Sequence, residues 1–203
     1  MQEAPDQFSM VEFGACDGYH TKMFLNLLER RGKKYELHSF EPEPRNFAVC
    51  QSVTRGLAKN GSFSLWNAAI GSKNETVPFY ISSLNYYGSS SLRAPKLVTQ
   101  AWPTMKFEKA VVTSMTLDKF SPHCKNDTID FIWADIQGAQ GDLIQGGTNT
   151  WSRVRYLFVE YDNSELYEGE VVGVAPLLEM LPGFEVVEDY GGDVLLKNAR
   201  RLQ

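Results

Sequence analysis

Two carboxylates bracket a glycine turn near the start of the chain, in Glu12-x-Gly14-x-x-Asp17-Gly18. Other polar residues stand where apolar runs break: Glu41, Asn67 with Ala68, Asp135 and Glu160. Carboxylates placed this way can accept hydrogen bonds from hydroxyls, hold a cationic amine, or take up a proton. The phosphate fingerprint G-x-G-x-x-G is missing, because Cys16 and Tyr19 stand where its second and third glycines would. Acids at such a turn repel a pyrophosphate and suit a ligand with a cationic amine and hydroxyls, such as S-adenosylmethionine.

These residues must be positioned by strands and helices in alternation. Residues 10–13 are an apolar run that breaks at Gly14, and a helical pattern starts near Thr21, with Met23, Phe24, Leu27 and Leu28 at helical spacing. Strand, glycine turn and helix in that order form the first half of a βαβ unit. A second strand over 35–40 ends at Phe40-Glu-Pro-Glu-Pro44, and a second helix carries Phe47, Cys50, Val53 and Leu57 on one stripe. Residues 62–70 and 77–82 read as strands joined by a hairpin over 71–75, and 111–114 as a short strand. Continuous apolar runs over 129–134 and 154–161 mark strands buried on both faces of a parallel sheet. A helix over 174–181 and a hairpin around Tyr190-Gly-Gly-Asp193 close the chain. The sum is an α/β fold, mostly parallel with an antiparallel edge. Its ligands are expected outside the carboxyl ends of the strands, near the switch in strand order.

Each polar strand end has a site reading and a plainer one. Glu41 lies about 20 residues beyond the glycine turn, where an acid can accept both ribose hydroxyls. It is preferred to Glu43, which lies past the proline. Asp135 can hold an amine, take a proton from a substrate hydroxyl, or cap the next helix, although Gly138 intervenes. Glu160 can orient a substrate. With Asp135, Asp162 and Asn163 it also offers oxygen ligands for Mg²⁺ or Ca²⁺, although the reading adopted is metal-free. His20 is either an exposed residue at the helix start or a general base. Residues 83–109 lack periodicity and hold four aromatics and four cations. They are either a lid over the substrate or a surface excursion packed on the core.

Glu12-Phe-Gly-Ala-Cys-Asp-Gly18 resembles the first motif of class I S-adenosylmethionine-dependent methyltransferases. Phe40-Glu-Pro42, Asn67-Ala-Ala-Ile70, Thr116-Leu-Asp118 and Asp135-Ile-Gln-Gly-Ala-Gln140 are similar to segments of the FkbM family in particular, over residues 11–196. The resemblance implies a Rossmann-like, seven-stranded sheet with helices on both faces and an antiparallel C-terminal hairpin. It also implies S-adenosylmethionine as cofactor and O-methylation of a sugar or small metabolite. Carried onto this chain, it places Glu12, Gly14, Asp17 and Gly18 around the cofactor, with Asp17 near the methionine amine. Glu41 falls at the ribose, Asn67 and Ala68 at the adenine, and Asp135 at the cofactor or the reacting hydroxyl. Asp135, Glu160 and His20 are the candidate catalytic residues. The family commonly has Glu where Gln137 and Gln140 stand, so this chain lacks two charges there.

The 203 residues are read as one methyltransferase domain, and 43% apolar residues supply a full core. A net charge of −5 argues against a nucleic-acid partner. Three scattered cysteines give no disulfide or zinc pattern. The opening residues are polar, unlike a signal peptide, and no run reaches membrane length, so a cytoplasmic protein is expected. The acceptor is read as a small molecule or glycan. A module that binds the cofactor without turnover and an RNA ribose methyltransferase are the alternatives.

Overall fold

Strand β1 (Gln7–Phe13) lies at the centre of a seven-stranded sheet, in a computed structural model that describes residues 7–201. The polar opening stretch 1–6 lies outside the described residues. Alternation in β1 sends its side chains to two cores. Met10 packs with Phe24, Leu25 and Leu28 of α1 (Tyr19–Arg30), whereas Val11 and Phe13 face the opposite layer. The buried stripe of α1 is Thr21, Phe24, Leu25 and Leu28, and the expected Met23 and Leu27 are exposed. Both patterns fit the helical period, and only contact with β1 and β2 (Lys34–Phe40) selects between them. Helix α2 (Pro44–Thr54) packs beside α1 and buries Cys50. It ends before Leu57, because Arg55 turns extended and Gly56 takes a positive φ.

The chain runs outward from β1 through β2 to β3 (Ser62–Trp66), all parallel. It then leaves the sheet at Asn67. The expected hairpin of 62–70 with 77–82 does not form. Instead β4 (Ala69–Ile70) and β5 (Thr76–Ser82) both pair with β6, in a separate sheet of order β4-β6-β5. β6 spans Phe107–Met115, longer than the expected 111–114, and pairs antiparallel with all seven residues of β5. Its solvent-facing half is polar or exposed, which hides it from a hydrophobic pattern. The turn 71–75 is tied to β6 too: Gly71 N–H donates to Met115 O, and Ser114 N–H to Glu75 O. The short helix α3 (Val98–Ala101) precedes β6.

After α4 (Leu117–Phe120), β7 (Ile129–Ala134) returns to the centre and pairs with the free side of β1. Next come α5 (Gln140–Gln145), β8 (Val154–Glu160), α6 (Val174–Met180) and the hairpin of β9 (Phe184–Asp189) with β10 (Asp193–Asn198). The order is β3-β2-β1-β7-β8-β10-β9, with β10 antiparallel to both neighbours. Leu117, Phe120, Leu143 and Leu177 cover the second face of the sheet against Ile132, Leu157 and Leu196. Helices thus lie on both faces, and the strand order reverses between β1 and β7, where a crevice opens at the carboxyl ends. Among the described residues no helix is long and apolar enough to cross a membrane.

Candidate active site

The crevice is closed at its base by close backbone packing. Gly14 has φ +87°, and a β-carbon there would lie 1.8 Å from the carbonyl oxygen of Asp135. Only glycine fits. The Asp135 N–H donates to Phe13 O at 3.0 Å, and the N–H groups of Gly14 and Ala15 donate to Phe40 O at 3.1 and 2.9 Å. The ends of β1, β2 and β7 are therefore pinned together. Gly18 serves helix packing instead. At φ +84°, its β-carbon would strike Val53 and the backbone of Cys50, so this glycine seats α1 on α2 rather than lining the crevice.

Above this base lies a cavity of about 350 Å³. Its walls include Gly14 to Asp17 from the turn, Tyr19 and His20 from the start of α1, Phe40 at the end of β2 with Glu41 just beyond it, Ala68 to Ile70, and Asp135 to Gln137. Asp17, Glu41 and Asp135 are its acids, and no Lys or Arg is among the lining residues described. Phe40, Ala68, Ile70 and Phe79 supply an apolar side. Tyr87, Gly88, Ser90 and Leu92, from the segment 83–109 read as a lid or a surface excursion, also line it, as does Asn46, which no sequence pattern marks.

Glu41 is buried and faces the cavity. Its Oε2 accepts from Cys16 N–H at 2.7 Å, and its Oε1 from Glu43 N–H at 2.8 Å. Burial pushes its carboxyl up to about 7, against the lowering effect of those two N–H groups. Glu43 faces away, pairing with Arg45 and accepting from Ser90. Asp17 accepts from Tyr19 N–H at 3.0 Å and from the Tyr87 hydroxyl at 3.3 Å. Glu12 lies beneath the cavity and is not part of its wall. Its Oε2 accepts from Thr21 and Ser39, each at 2.6 Å, while its buried Oε1 has no partner. Burial drives this carboxyl up to about 7 as well. The Asn67 amide donates to the carbonyls of Glu41 (2.8 Å) and Pro42 (3.3 Å), so it braces the strand ends from outside while Ala68 lines the cavity. His20 lines the mouth, its ring 5.1 Å from Trp133 and 5.3 Å from Tyr19.

Asp135 and Glu160 meet through Gln137, whose Nε2 donates to Asp135 Oδ1 at 2.8 Å and to Glu160 Oε2 at 2.9 Å. Glu160 sits behind the wall, against both this amide and the Asp135 carboxyl. Burial, followed by the charge of Asp135, raises its carboxyl well above the usual range. Of residues 83–109, only Tyr87 to Leu92 roof the cavity. They are anchored by Asn46 Nδ2 donating to Tyr87 O at 3.0 Å and by the Ser91 hydroxyl donating to Gln137 O. The rest packs elsewhere, with Val98 and Met105 against Tyr167.

Among the described residues, the one group of three with ligand atoms within 4.8 Å of one another is Glu36, His38 and Cys124. It is remote from the cavity wall, and its chemistry opposes a metal. The Trp66 indole N–H, a donor only, bonds His38 Nδ1 at 3.3 Å. The ring hydrogen is thereby left on Nε2, the nitrogen facing Glu36 at 3.7 Å. Glu36 already accepts from Ser9 and from the N–H groups of Lys125 and Asn126. Asn163 is exposed, and neither it nor Asp162 joins the wall. All three cysteines are free thiols.

The sequence pattern of the methyltransferase FkbM domain matches residues 12–193. The 2-O-methyltransferase NoeI of Sinorhizobium fredii (strain NBRC 101917 / NGR234) is 32% identical over 208 residues, covering 98% of this chain and 82% of that protein. In fold, the chain is similar to methyltransferase FkbM from Methylobacillus flagellatus KT, with a TM-score of 0.56 at 15% identity over 97% of this chain. The citrinin polyketide synthase CMeT domain gives a TM-score of 0.50 at 14% identity over 95% of this chain. The chain spans under half the length of those two solved chains, 45% and 46%. The matched stretch runs from Glu12, below the glycine turn, to Asp193, where the C-terminal hairpin returns beside β8. With the sheet order and the crevice at β1 and β7, this match places the chain in the FkbM methyltransferase family.

Proposed function

We propose that the cavity binds S-adenosylmethionine and that the chain, acting as one catalytic domain, methylates a hydroxyl oxygen of a glycan or small metabolite. The observation that carries this reading is the cavity's charge: three acids and no cation line it. A cationic ligand is favoured there and a pyrophosphate is repelled. The fit extends to the parts of the ligand. Glu41 can accept from ribose hydroxyls while keeping its two backbone donors, since each carboxylate oxygen accepts more than one hydrogen bond. The apolar side formed by Phe40, Ala68, Ile70 and Phe79 suits adenine, and Asp17 and Asp135 suit the methionine amine.

When bound, this cofactor supplies a methyl group already activated on a sulfonium. The protein has to align the acceptor oxygen with that methyl and remove the hydroxyl proton. Asp135 and His20 line the cavity and can take that proton, and Glu160 backs Asp135 beside Gln137. The kinship with a protein named as a 2-O-methyltransferase supports oxygen as the methylated atom.

Calorimetry tests the cofactor reading. S-adenosylhomocysteine should bind and NAD should not, and Glu41→Ala should cost about 1.5–3 kcal/mol of affinity through lost charge-assisted hydrogen bonds. Tighter binding of NAD would refute it. A radiolabelled methyl-transfer screen over glycans, metabolites and RNA tests the acceptor, with label expected in the first two.

A further inference from the structure

Gln137 is the point where the ends of β7 and β8 are joined. An amide NH₂ carries two hydrogens, and here both are committed, one to Asp135 and one to Glu160. The amide oxygen faces the Tyr167 hydroxyl at 3.4 Å, and that hydroxyl also donates to Ser89 O at 2.8 Å. Carboxylates only accept, so the NH₂ end must face the acids and the carbonyl end the hydroxyl. The backbone is fixed as firmly as the side chain. Gln137 has φ +50°, a left-handed conformation unfavourable for a residue with a β-carbon. Its carbonyl accepts from Ser91. At the following residue, Gly138, a β-carbon would come within 2.8 Å of Glu170 Oε2 and 2.9 Å of Tyr167 Cβ. Strain of this kind persists only where the surroundings enforce it. Here β7, β8, the roof and the loop after β8 all do so.

We propose that Gln137 is a positioning residue for methyl transfer: one amide nitrogen holds Asp135 and Glu160 as a pair, with Asp135 presented to the cavity to receive the acceptor's proton. The proposal rests on the methyl-transfer reading above. In that reaction the acceptor O–H bond breaks and its proton passes to Asp135, while the O–CH₃ bond forms and the S–CH₃ bond breaks. The neutral thioether leaves.

The charges around the pair explain why a neutral donor matters. Asp162 and Asp193 face Glu160, and Asp193 is itself raised by burial and by Asp135, with His20 opposing. From β1, Glu12 feels the charge of Asp135, and Tyr167 on the far side is held in its neutral form. The Gln137 amide therefore brings two N–H donors to a group of acids, and donors to a carboxylate favour its ionised form. Glutamate, common at this position in the family, would bring a carboxyl in place of the two amide donors.

The test is a carbon-13 carboxyl NMR titration of the full chain, comparing the natural protein with Gln137→Met and Gln137→Glu. Glu160 should titrate about one pH unit higher in Gln137→Met, the equivalent of one lost donor to a charged acceptor, and higher still in Gln137→Glu. Glu41, across the cavity, should titrate unchanged. The acidic limb of the kcat–pH profile should move with the pair. If Gln137→Met does not fold, Gln137→Asn serves, because its shorter amide cannot reach both acids and should give the same upward shift. A folded Gln137→Met or Gln137→Asn protein with the natural titration overturns the proposal. S-adenosylhomocysteine binding, measured alongside, should persist in Gln137→Met. If the natural protein itself does not bind that ligand, the cofactor reading fails, whereas the pairing stands or falls on the titration.

Discussion

Glu12 gives a test of the buried electrostatics that needs no substrate. Its carboxyl is fully buried, and desolvation lifts it from the ordinary 4.5 to about 7 despite the hydrogen bonds from Ser39 and Thr21. Between those two values the folded protein holds a proton that the unfolded chain has released. The stability from this group is therefore complete below pH 4.5, is lost as pH rises through 7, and then levels off. At about 1.4 kcal/mol per pH unit the loss comes to about 3 kcal/mol. Glu12→Gln removes this dependence while preserving the contacts, because the amide oxygen can still accept from Thr21 and Ser39. Urea unfolding of both proteins at half-unit steps from pH 5 to 8 should show the variant gaining about 2.5 kcal/mol relative to the natural protein over that range, most of the full loss. Glu41 titrates in the same window but is present in both proteins. It cancels, apart from the small part of its rise that comes from Glu12. Parallel stability curves would refute the reasoning, since they would mean that Glu12 is already ionised or reached by water.

Three further outcomes follow from the geometry. Asp135→Asn should lower turnover by about 10²–10⁴-fold while largely sparing S-adenosylhomocysteine affinity if Asp135 takes the proton, and EDTA should leave activity intact; Mg²⁺-restorable loss on chelation would overturn the metal-free reading. Gly14→Ala should abolish cofactor binding or folding, because its β-carbon would overlap the Asp135 carbonyl at 1.8 Å, and wild-type binding in calorimetry would contradict that packing. Limited proteolysis should show ligand protection confined to residues 87–92, which roof the cavity, with cleavage near the exposed Trp102 unchanged.

The sequence discloses most where one physical constraint acts alone. β7 and β8 lie inside the sheet, and their runs, apolar apart from Asp130 in β7 and from Arg155 and the final Glu160 in β8, have boundaries that can be read almost to the residue. The C-terminal hairpin is announced by Tyr190-Gly-Gly-Asp193 for a comparable local reason. The small sheet is different. β5 is strand-like in its residues, but nothing in residues 76–82 says that its partner is β6, some thirty positions on, rather than the adjacent run. Strand pairing is a tertiary choice that local propensity does not encode. The stripe on α1 shows the same limit, since Met23 and Leu27 are as apolar as the residues that α1 buries.

The site divides along the same line. Glu41 and Asp135 stand out because an acid ending an apolar strand has few other reasons to be there, and both line the cavity. Glu12 and Asn67 share the motif but act from behind the wall, one beneath the turn and one bracing two carbonyls. Spacing along the chain fixes which residues come near a turn, not which side of it they face. Gln137 is the sharpest case. In the sequence it is a charge removed from a run of acids. In the fold its two N–H groups are spent on two carboxyls whose strands begin 25 positions apart, at Ile129 and Val154, and its carbonyl end faces Tyr167 from a loop without any pattern. A neutral residue among acids is therefore best read by asking which charges it would have to satisfy once the strands that carry them are side by side.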